Sequence, residues 1–308
     1  MSTLTKRQHY VWRKYLRAWL TGEKDSVYTA FKDQRKVNLV SLMGVGQQNY
    51  FYKMHEITEE DLKLMRSLVE NAPAIFKGIL SDMVFAYWSY TDIKKIYRND
   101  PMIIQKRPSI EQEIKEIEIN TFEKIEGKVE LLGESLLECK SIDDIKNLDV
   151  GDGILDIFLY FFVQHGRTKK MYDSHLKIFT DNPKYKSLIE HAFPFISLYN
   201  AFKLCYDMVA SGWNIIFVKN KTSIPFITAD QPIINYAYNE ETEEGLELYY
   251  PTSPSTAVIL MSDMHKTQYS EYNATEEFVN SRNKKMWNEA LCQVFANNEE
   301  ILKCFLTE

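Results

Sequence analysis

Between Tyr10 and Leu20 apolar residues recur at helical spacing, with Val11, Tyr15, Leu16 and Trp19 on one stripe and Gly22 beyond as a stop. The pattern predicts a short amphipathic helix. Two β-branched and aromatic runs follow, Ser26–Phe31 and Val37–Met43, separated by the polar stretch Lys-Asp-Gln-Arg-Lys, and these predict a hairpin. Thr58-Glu-Glu-Asp61 has the form of a helix N-cap with acids in the first turn, opening a helical middle. That middle runs on from Pro73 to Tyr97. Beyond it, Ser109 with Gln112 forms a capping box ahead of a one-faced run from Ile110 to Leu132. Helices are further predicted from Gly153 to His165, closed by Gly166, and from about Tyr185 to Ser211.

The texture changes at Trp213. Asn214–Val218, Pro225–Thr228, Ile233–Tyr238, Leu246–Tyr250 and Thr256–Met261 all have the composition of strands, and a last helix is expected from about Thr275 to Ala296, with Asn273 and Glu276 as its start signal. Glu240–Gly245 suits a solvated acidic hairpin tip better than a metal site. The fold class expected is α+β, a helical middle with an antiparallel sheet formed mainly by the C-terminal third and joined by the N-terminal hairpin. With no repeat and no low-complexity linker, a single domain over 1–308 is expected, with an N-terminal helix and hairpin (1–53), a helical part (58–211), and a sheet with its closing helix (213–308).

Composition narrows the class. The chain of 308 residues is 45% hydrophobic, enough for a core without covalent staples. Cys139, Cys205, Cys292 and Cys304 form no Cys-x-x-Cys pair, which fits reduced thiols better than disulfides or a zinc knuckle. Met1–Arg7 has no apolar signal stretch, and the run Ile154–Val163, interrupted by Asp156, is too short to span a bilayer. The expectation is a cytoplasmic protein with no membrane partner. Net charge is −6, yet residues 1–36 hold nine Lys/Arg against three acids, leaving +6 there and −12 elsewhere. Such asymmetry marks either an anionic partner or a basic arm docked on the chain's own surface, and docking is the commoner fate of Lys and Arg.

Several familiar chemistries are excluded by residue type. There is no Gly-x-Ser-x-Gly elbow, Walker loop, His-Glu-x-x-His or deaminase motif, and Arg167 and His175 are too far apart for the Arg-x4-6-His pair of HEPN ribonucleases. Gly44-Val-Gly46-Gln-Gln-Asn49 lacks the third glycine of a dinucleotide loop and suits a turn or bulge. Asp149, Asp152 and Asp156 cluster at a helix start, where acids complementing the helix dipole explain them better than a shared cation. Glu113-Lys115 and Glu126-Lys128 sit in a charged helical run rather than on a strand, as a restriction-type nuclease would require.

Three segments carry more chemistry. On a continuous helix His9, Arg13 and Arg17 would share one face and suit a phosphate, with the imidazole as acid or base. Gln164 and Arg167 end a strongly apolar helix where the chain must turn. Asp230 ends an apolar strand before Gln231-Pro232, a place suited either to a catalytic acid or to a turn-closing aspartate.

Taken in order, His9–Arg17, Asn49-Tyr-Phe-Tyr52, Gln164-His-Gly-Arg167-Thr168, Thr228-Ala-Asp230-Gln-Pro232 and Pro251-Thr-Ser253-Pro254 resemble the bacterial domain-of-unknown-function family 4238. The resemblance spans nearly the whole chain. Its one notable departure is Trp12, where the family pattern has proline; a helix starting at that proline would leave His9 to Val11 outside it. Thr168 is likewise followed by Lys169 where relatives often have proline.

The resemblance implies a fold and a pocket, but no activity. On analogy together with residue chemistry, the function expected is a nuclease or other phosphodiester-acting effector of a bacterial defence or toxin system. In it His9 is general acid or base, Arg13, Arg17 and Arg167 bind phosphate, Gln164 orients, and Asp230 orients the histidine or binds a divalent cation. The alternative is a non-catalytic module that binds a nucleotide, nucleic acid or protein partner through the same cationic residues.

Overall fold

A computed structural model of the chain describes residues 7–22, 25–49, 51, 53–99, 117, 131, 133–151, 153–237, 245–262 and 267–307. Apart from residues 117 and 131, the run predicted as a one-faced helix from Ile110 to Leu132 lies outside those residues, as do both Glu-x-Lys pairs, Asp152 and most of the acidic hairpin tip.

The chain enters as a three-residue strand, β1 (Arg7–His9), rather than as a helix. Only α1 (Arg13–Leu16) and a 3₁₀ turn (Arg17–Trp19) are helical, so the helix predicted from Tyr10 to Leu20 is corrected at its start. Trp12 is the cause: it is extended, with φ −63° and ψ 131°, and the helix begins after it. That φ is the one proline imposes, so Trp12 keeps the backbone shape the family's proline would give. β1 pairs antiparallel with β4 (Gln47–Asn49), and the Tyr10 and Val11 amides both donate to the Gly46 carbonyl, at 3.0 and 3.1 Å. Gly46 has φ +56°, and a Cβ there would lie 2.9 Å from Val11 Cβ, so only glycine fits this turn.

The expected hairpin forms as β2 (Ser26–Phe31) and β3 (Lys36–Ser41). Helix α2 (Glu59–Glu70) starts at a capping box between Thr58 and Asp61, as its sequence requires. α3 (Lys77–Asn99) follows, then helical residues 133–138, α4 (Ile142–Leu148) and α5 (Gly153–Gly166). α6 (Lys169–Ile178) is capped by Thr168, whose hydroxyl accepts from the Met171 amide. α7 (Pro183–Ser211) is broken at Ala192, where φ is −139° and ψ 39°, just ahead of Pro194, which has no amide to continue the ladder.

Two larger sheets take up the remaining strands. One has the order β10-β5-β9-β8-β7, from β5 (Trp213–Lys219), β7 (Ile234–Asn235), β8 (Glu247–Ser253), β9 (Thr256–Ser262) and β10 (Thr267–Asn273). Its ladders are antiparallel except for β10 beside β5, which is parallel. The other has the order β3-β2-β11-β6, so the N-terminal hairpin is joined to C-terminal strands as expected, through β11 (Gln293–Ala296) and β6 (Thr228–Ala229). The runs Pro225–Thr228 and Ile233–Tyr238, expected as strands of one sheet, yield two short strands in different sheets. The last predicted helix is cut short: α8 (Glu276–Glu289) is capped by Thr275, residues 293–296 become β11, and α9 (Glu299–Thr307) closes the described chain.

The larger core cluster draws on the N-terminal segment, the helices and the inner faces of β5, β8 and β9, while a smaller cluster lies between the β6–β11 side and α8 and α9. An aromatic column links the parts: Trp12 stacks on Tyr160 at 5.1 Å, Tyr160 bonds Tyr250 through their hydroxyls at 2.6 Å, and Tyr15 stacks on Tyr250 at 4.9 Å. The basic N-terminal stretch docks in part on the chain itself. Lys32 Nζ donates to the Trp287 and Ala290 carbonyls at the end of α8, and Arg35 donates to Leu306 O at the end of α9. Cations there complement the negative helix ends, so carbonyls as well as acids hold the arm down. Among the described residues no helix is long and apolar enough to cross a membrane.

Candidate functional site

The segments singled out from sequence meet at one junction, on the side where α5 ends. Tyr15 donates to the Pro251 carbonyl at 2.8 Å and shares a 2.5 Å hydrogen bond with Thr228 Oγ1, tying three of the segments together directly. Trp19 Nε1 donates to Phe226 O. Arg167 is buried; it donates to the His9 carbonyl at 2.8 Å and lies 4.7 Å from the centre of the Trp12 ring. A guanidinium suits this place because it offers donors in its plane and a flat face to an aromatic ring. Gln164, also buried, reaches the Tyr10 carbonyl at 3.5 Å. Thr168, beyond capping α6, donates to Gln231 Oε1.

His9, Gln164 and Arg167 are thus neighbours, but His9 stands on β1, with Nδ1 3.1 Å from Val45 O. The shared helical face of His9, Arg13 and Arg17 does not exist, because the chain is extended through Trp12. Arg13 and Arg17 are exposed, Arg13 lying against the Met43 sulfur. Asp230 does follow the end of β6, but its carboxylate, expected to orient His9 or bind a cation, accepts from the backbone amides of Leu291, Cys292 and Gln293 at 2.8, 2.7 and 2.9 Å. It clasps the turn leading into β11. Burial pushes its pKa above the usual carboxylate value, opposed by those three amides and by Lys32. Among the described residues no group of three His, Cys, Asp or Glu is placed to hold a metal ion. Asp149, one of the clustered acids, accepts from Tyr269 at 2.6 Å.

Immediately beside this junction is a cavity of about 680 Å³ lined by His165, Lys170, Ser174, Lys177, Gln231 and Glu289, with Met171, Ile178, Ile234 and Asn235 completing its wall. Its size is that of a site for a cofactor or small ligand. Two of its polar groups are the immediate neighbours of residues singled out from sequence: His165 follows Gln164, and Gln231 follows Asp230. His165 Nδ1 lies 3.0 Å from Ile233 O. A carbonyl only accepts, so Nδ1 carries the proton and Nε2 keeps its lone pair. Burial lowers the His165 pKa, with the Ile233 bond opposing. Gln231 is locked by donating to Ile233 O at 2.8 Å and to His165 O at 3.2 Å. Lys170 pairs with Glu289, whereas Lys177 is exposed with no ion pair among the described residues.

His165 was hard to single out because α5 is apolar almost all round and offers no polar face from which to read its orientation. One residue turns a helix position by 100°, enough to send Gln164 inward and His165 to the cavity. The available signal was a titratable ring at the end of an apolar helix.

The sequence matches a family described as a protein of unknown function (DUF4238), over residues 7–300. The chain belongs to DUF4238. The family's span takes in the junction, the His165 cavity and the three described sheets. No curated protein and no solved structure matches the chain.

Proposed function

We propose that this DUF4238 protein is a phosphodiester-acting enzyme of the nuclease type, serving as an effector in bacterial defence or as a toxin, and working in the His165 cavity. The observation that carries this reading is the half-buried His165 ring, held in one tautomer by Ile233 O and lining a ligand-sized cavity beside two lysines. Because burial lowers its pKa from 6.5, the ring is neutral and proton-accepting at neutral pH. In the proposed step Nε2 takes a proton from water as the water oxygen bonds to phosphorus. The ester P–O bond breaks, and the leaving oxygen takes a proton from solvent. Lys177 offsets charge on the phosphoryl oxygens.

The test compares wild-type protein with His165→Asn, whose amide keeps the donor to Ile233 O and removes the Nε2 lone pair. Wild type should degrade RNA or DNA and impair bacterial growth, while His165→Asn should be slower by roughly 100-fold or more, the usual contribution of a general base. Equal rates for both proteins would overturn the assignment.

A second reading, a non-catalytic module, is supported by Asp230 and Arg167 being tied into backbone contacts. It predicts nucleotide binding that survives His165→Asn and is lost in Lys177→Glu, with no turnover by wild type.

A further inference from the structure

Helix α6 separates two clefts. Lys170, Ser174, Lys177 and Ile178 face the His165 cavity, while Lys169 and Tyr172, on the opposite side at 100° per residue, line a cleft of about 160 Å³. The other polar groups of that cleft are Gln48 from β4, Lys53 and His55 from the segment before α2, and Glu190 and His191 from α7. Apart from Gln48, in the Gly44–Asn49 turn, none of these five belongs to the motifs described above.

His191 is held from behind. Its Nδ1 lies 2.9 Å from Asp61 Oδ2 and 3.3 Å from Ser187 Oγ, and Ser187 donates to Asp61 Oδ1 at 2.9 Å. Asp61 also accepts the Thr58 amide at 2.9 Å, so the α2 capping box is what positions the carboxylate. Burial alone would raise the Asp61 pKa, but the Thr58 amide, His191, and the Thr58 and Ser187 hydroxyls together hold it below the usual value. A carboxylate accepts only, so Nδ1 carries the proton and Nε2 is the ring atom left for a ligand. The break in α7 at Ala192 sits one residue away and sets where this ring leaves the helix.

We propose that this cleft is a proton-dependent oxyanion site that holds a single phosphate group between Lys53, Lys169, His55 and His191. It is smaller than the 300–1,000 Å³ typical of sites that enclose a whole ligand, which favours one tetrahedral group over a complete nucleotide. Its formal charge rises with protonation. Lys53 and Lys169 balance Glu190 and Asp173, the latter held by Lys169 at 2.8 Å, and each protonated histidine adds one positive charge. The cations also crowd one another. The His55 pKa is lowered first by burial and then by the positive charges of Lys53 and His191, a repulsion that an anion placed among them would reverse. Tyr172, its pKa raised by burial, Glu190 and Asp173, stays a neutral hydroxyl donor.

Calorimetry on the full chain tests this, with sulfate, inorganic phosphate and a nucleoside 5′-monophosphate as probes. Sulfate keeps its charge over the histidine range, so its pH dependence reports the protein alone. Sulfate should bind roughly ten-fold or more tightly at about pH 6 than at about pH 8, with proton uptake. His55→Gln and His191→Gln should each weaken binding roughly ten-fold, the size of one charge-assisted contact. Lys53→Gln, at an exposed position outside the Asp61 clasp, should do the same and guards against a folding defect in His191→Gln. His165→Asn should leave sulfate binding unchanged, which separates this site from the proposed catalytic cavity. A monophosphate that binds at least as tightly as phosphate supports a nucleotide's terminal group as the occupant, and phosphate binding without the monophosphate supports the free anion. Binding indifferent to pH, or unaltered in His55→Gln and Lys53→Gln, would overturn the proposal.

Discussion

Gln164 and Asp230 differ from their neighbours His165 and Gln231 by one position in sequence and by their whole environment in space. The first pair is buried and holds backbone: Gln164 reaches the Tyr10 carbonyl, and Asp230 collects three amides ahead of β11. His165 is bonded through Nδ1 and lines a cavity, while Gln231, itself buried and bonded at both ends of its amide, forms part of that cavity's wall. Polar side chains of equal chemical promise therefore divide into groups that make the fold and groups that face a ligand. What divides them is exposure to the cavity: of the four, His165 is the one not fully buried.

Substitutions at the junction should cost stability, and the largest loss is expected at Asp230. Asp230→Ala takes a buried acceptor from three amides of a partly exposed turn and should lower stability by about 3–5 kcal/mol in urea denaturation. A loss under about 1 kcal/mol would mean that water replaces the carboxylate and that the clasp is dispensable. Tyr15→Phe keeps the ring stacked on Tyr250 but removes the hydroxyl shared by Thr228 and Pro251, and should cost about 1–3 kcal/mol. If its melting temperature matched wild type, the meeting of those segments would rest on packing alone. The smallest effect is expected for Arg13→Ala combined with Arg17→Ala, within about 0.5 kcal/mol, because both side chains are exposed. A larger loss in thermal melts would show that the exposed arginines belong to the junction after all.

Much of the fold was legible where a local rule and the tertiary outcome agree. The hairpin was, because Val27, Ala30, Val37 and Val40 fit a pleated surface and a polar turn separates the strands. So was α2, since Thr58 and Asp61 satisfy each other within one turn. Local rules failed where the partner is distant. Residues 293–296 continue a helical composition with no breaker, yet they form β11 because a slot exists between β2 and β6. β10 is mostly polar and exposed, without the apolar alternation that marks a strand, and is defined only by its pairing with β5. Of the candidate residues, sequence reasoning brought forward the segments that meet at the junction but not His165 and Gln231, which line the cavity beside Gln164 and Asp230.

The sequence by itself determined membership of DUF4238, the α+β class, the capped helices and the order in which the distinctive segments occur, because these depend on composition and on interactions within a few residues. Tertiary structure alone decided that Trp12 would hold the chain extended before α1 and stack on Tyr160. It also decided that Asp230 would clasp residues 291–293 and that His55 and His191, far apart in the chain, would face one small cleft. Those outcomes depend on which groups share a space after packing, and a periodicity of 3.6 or 2 along the chain carries no record of that.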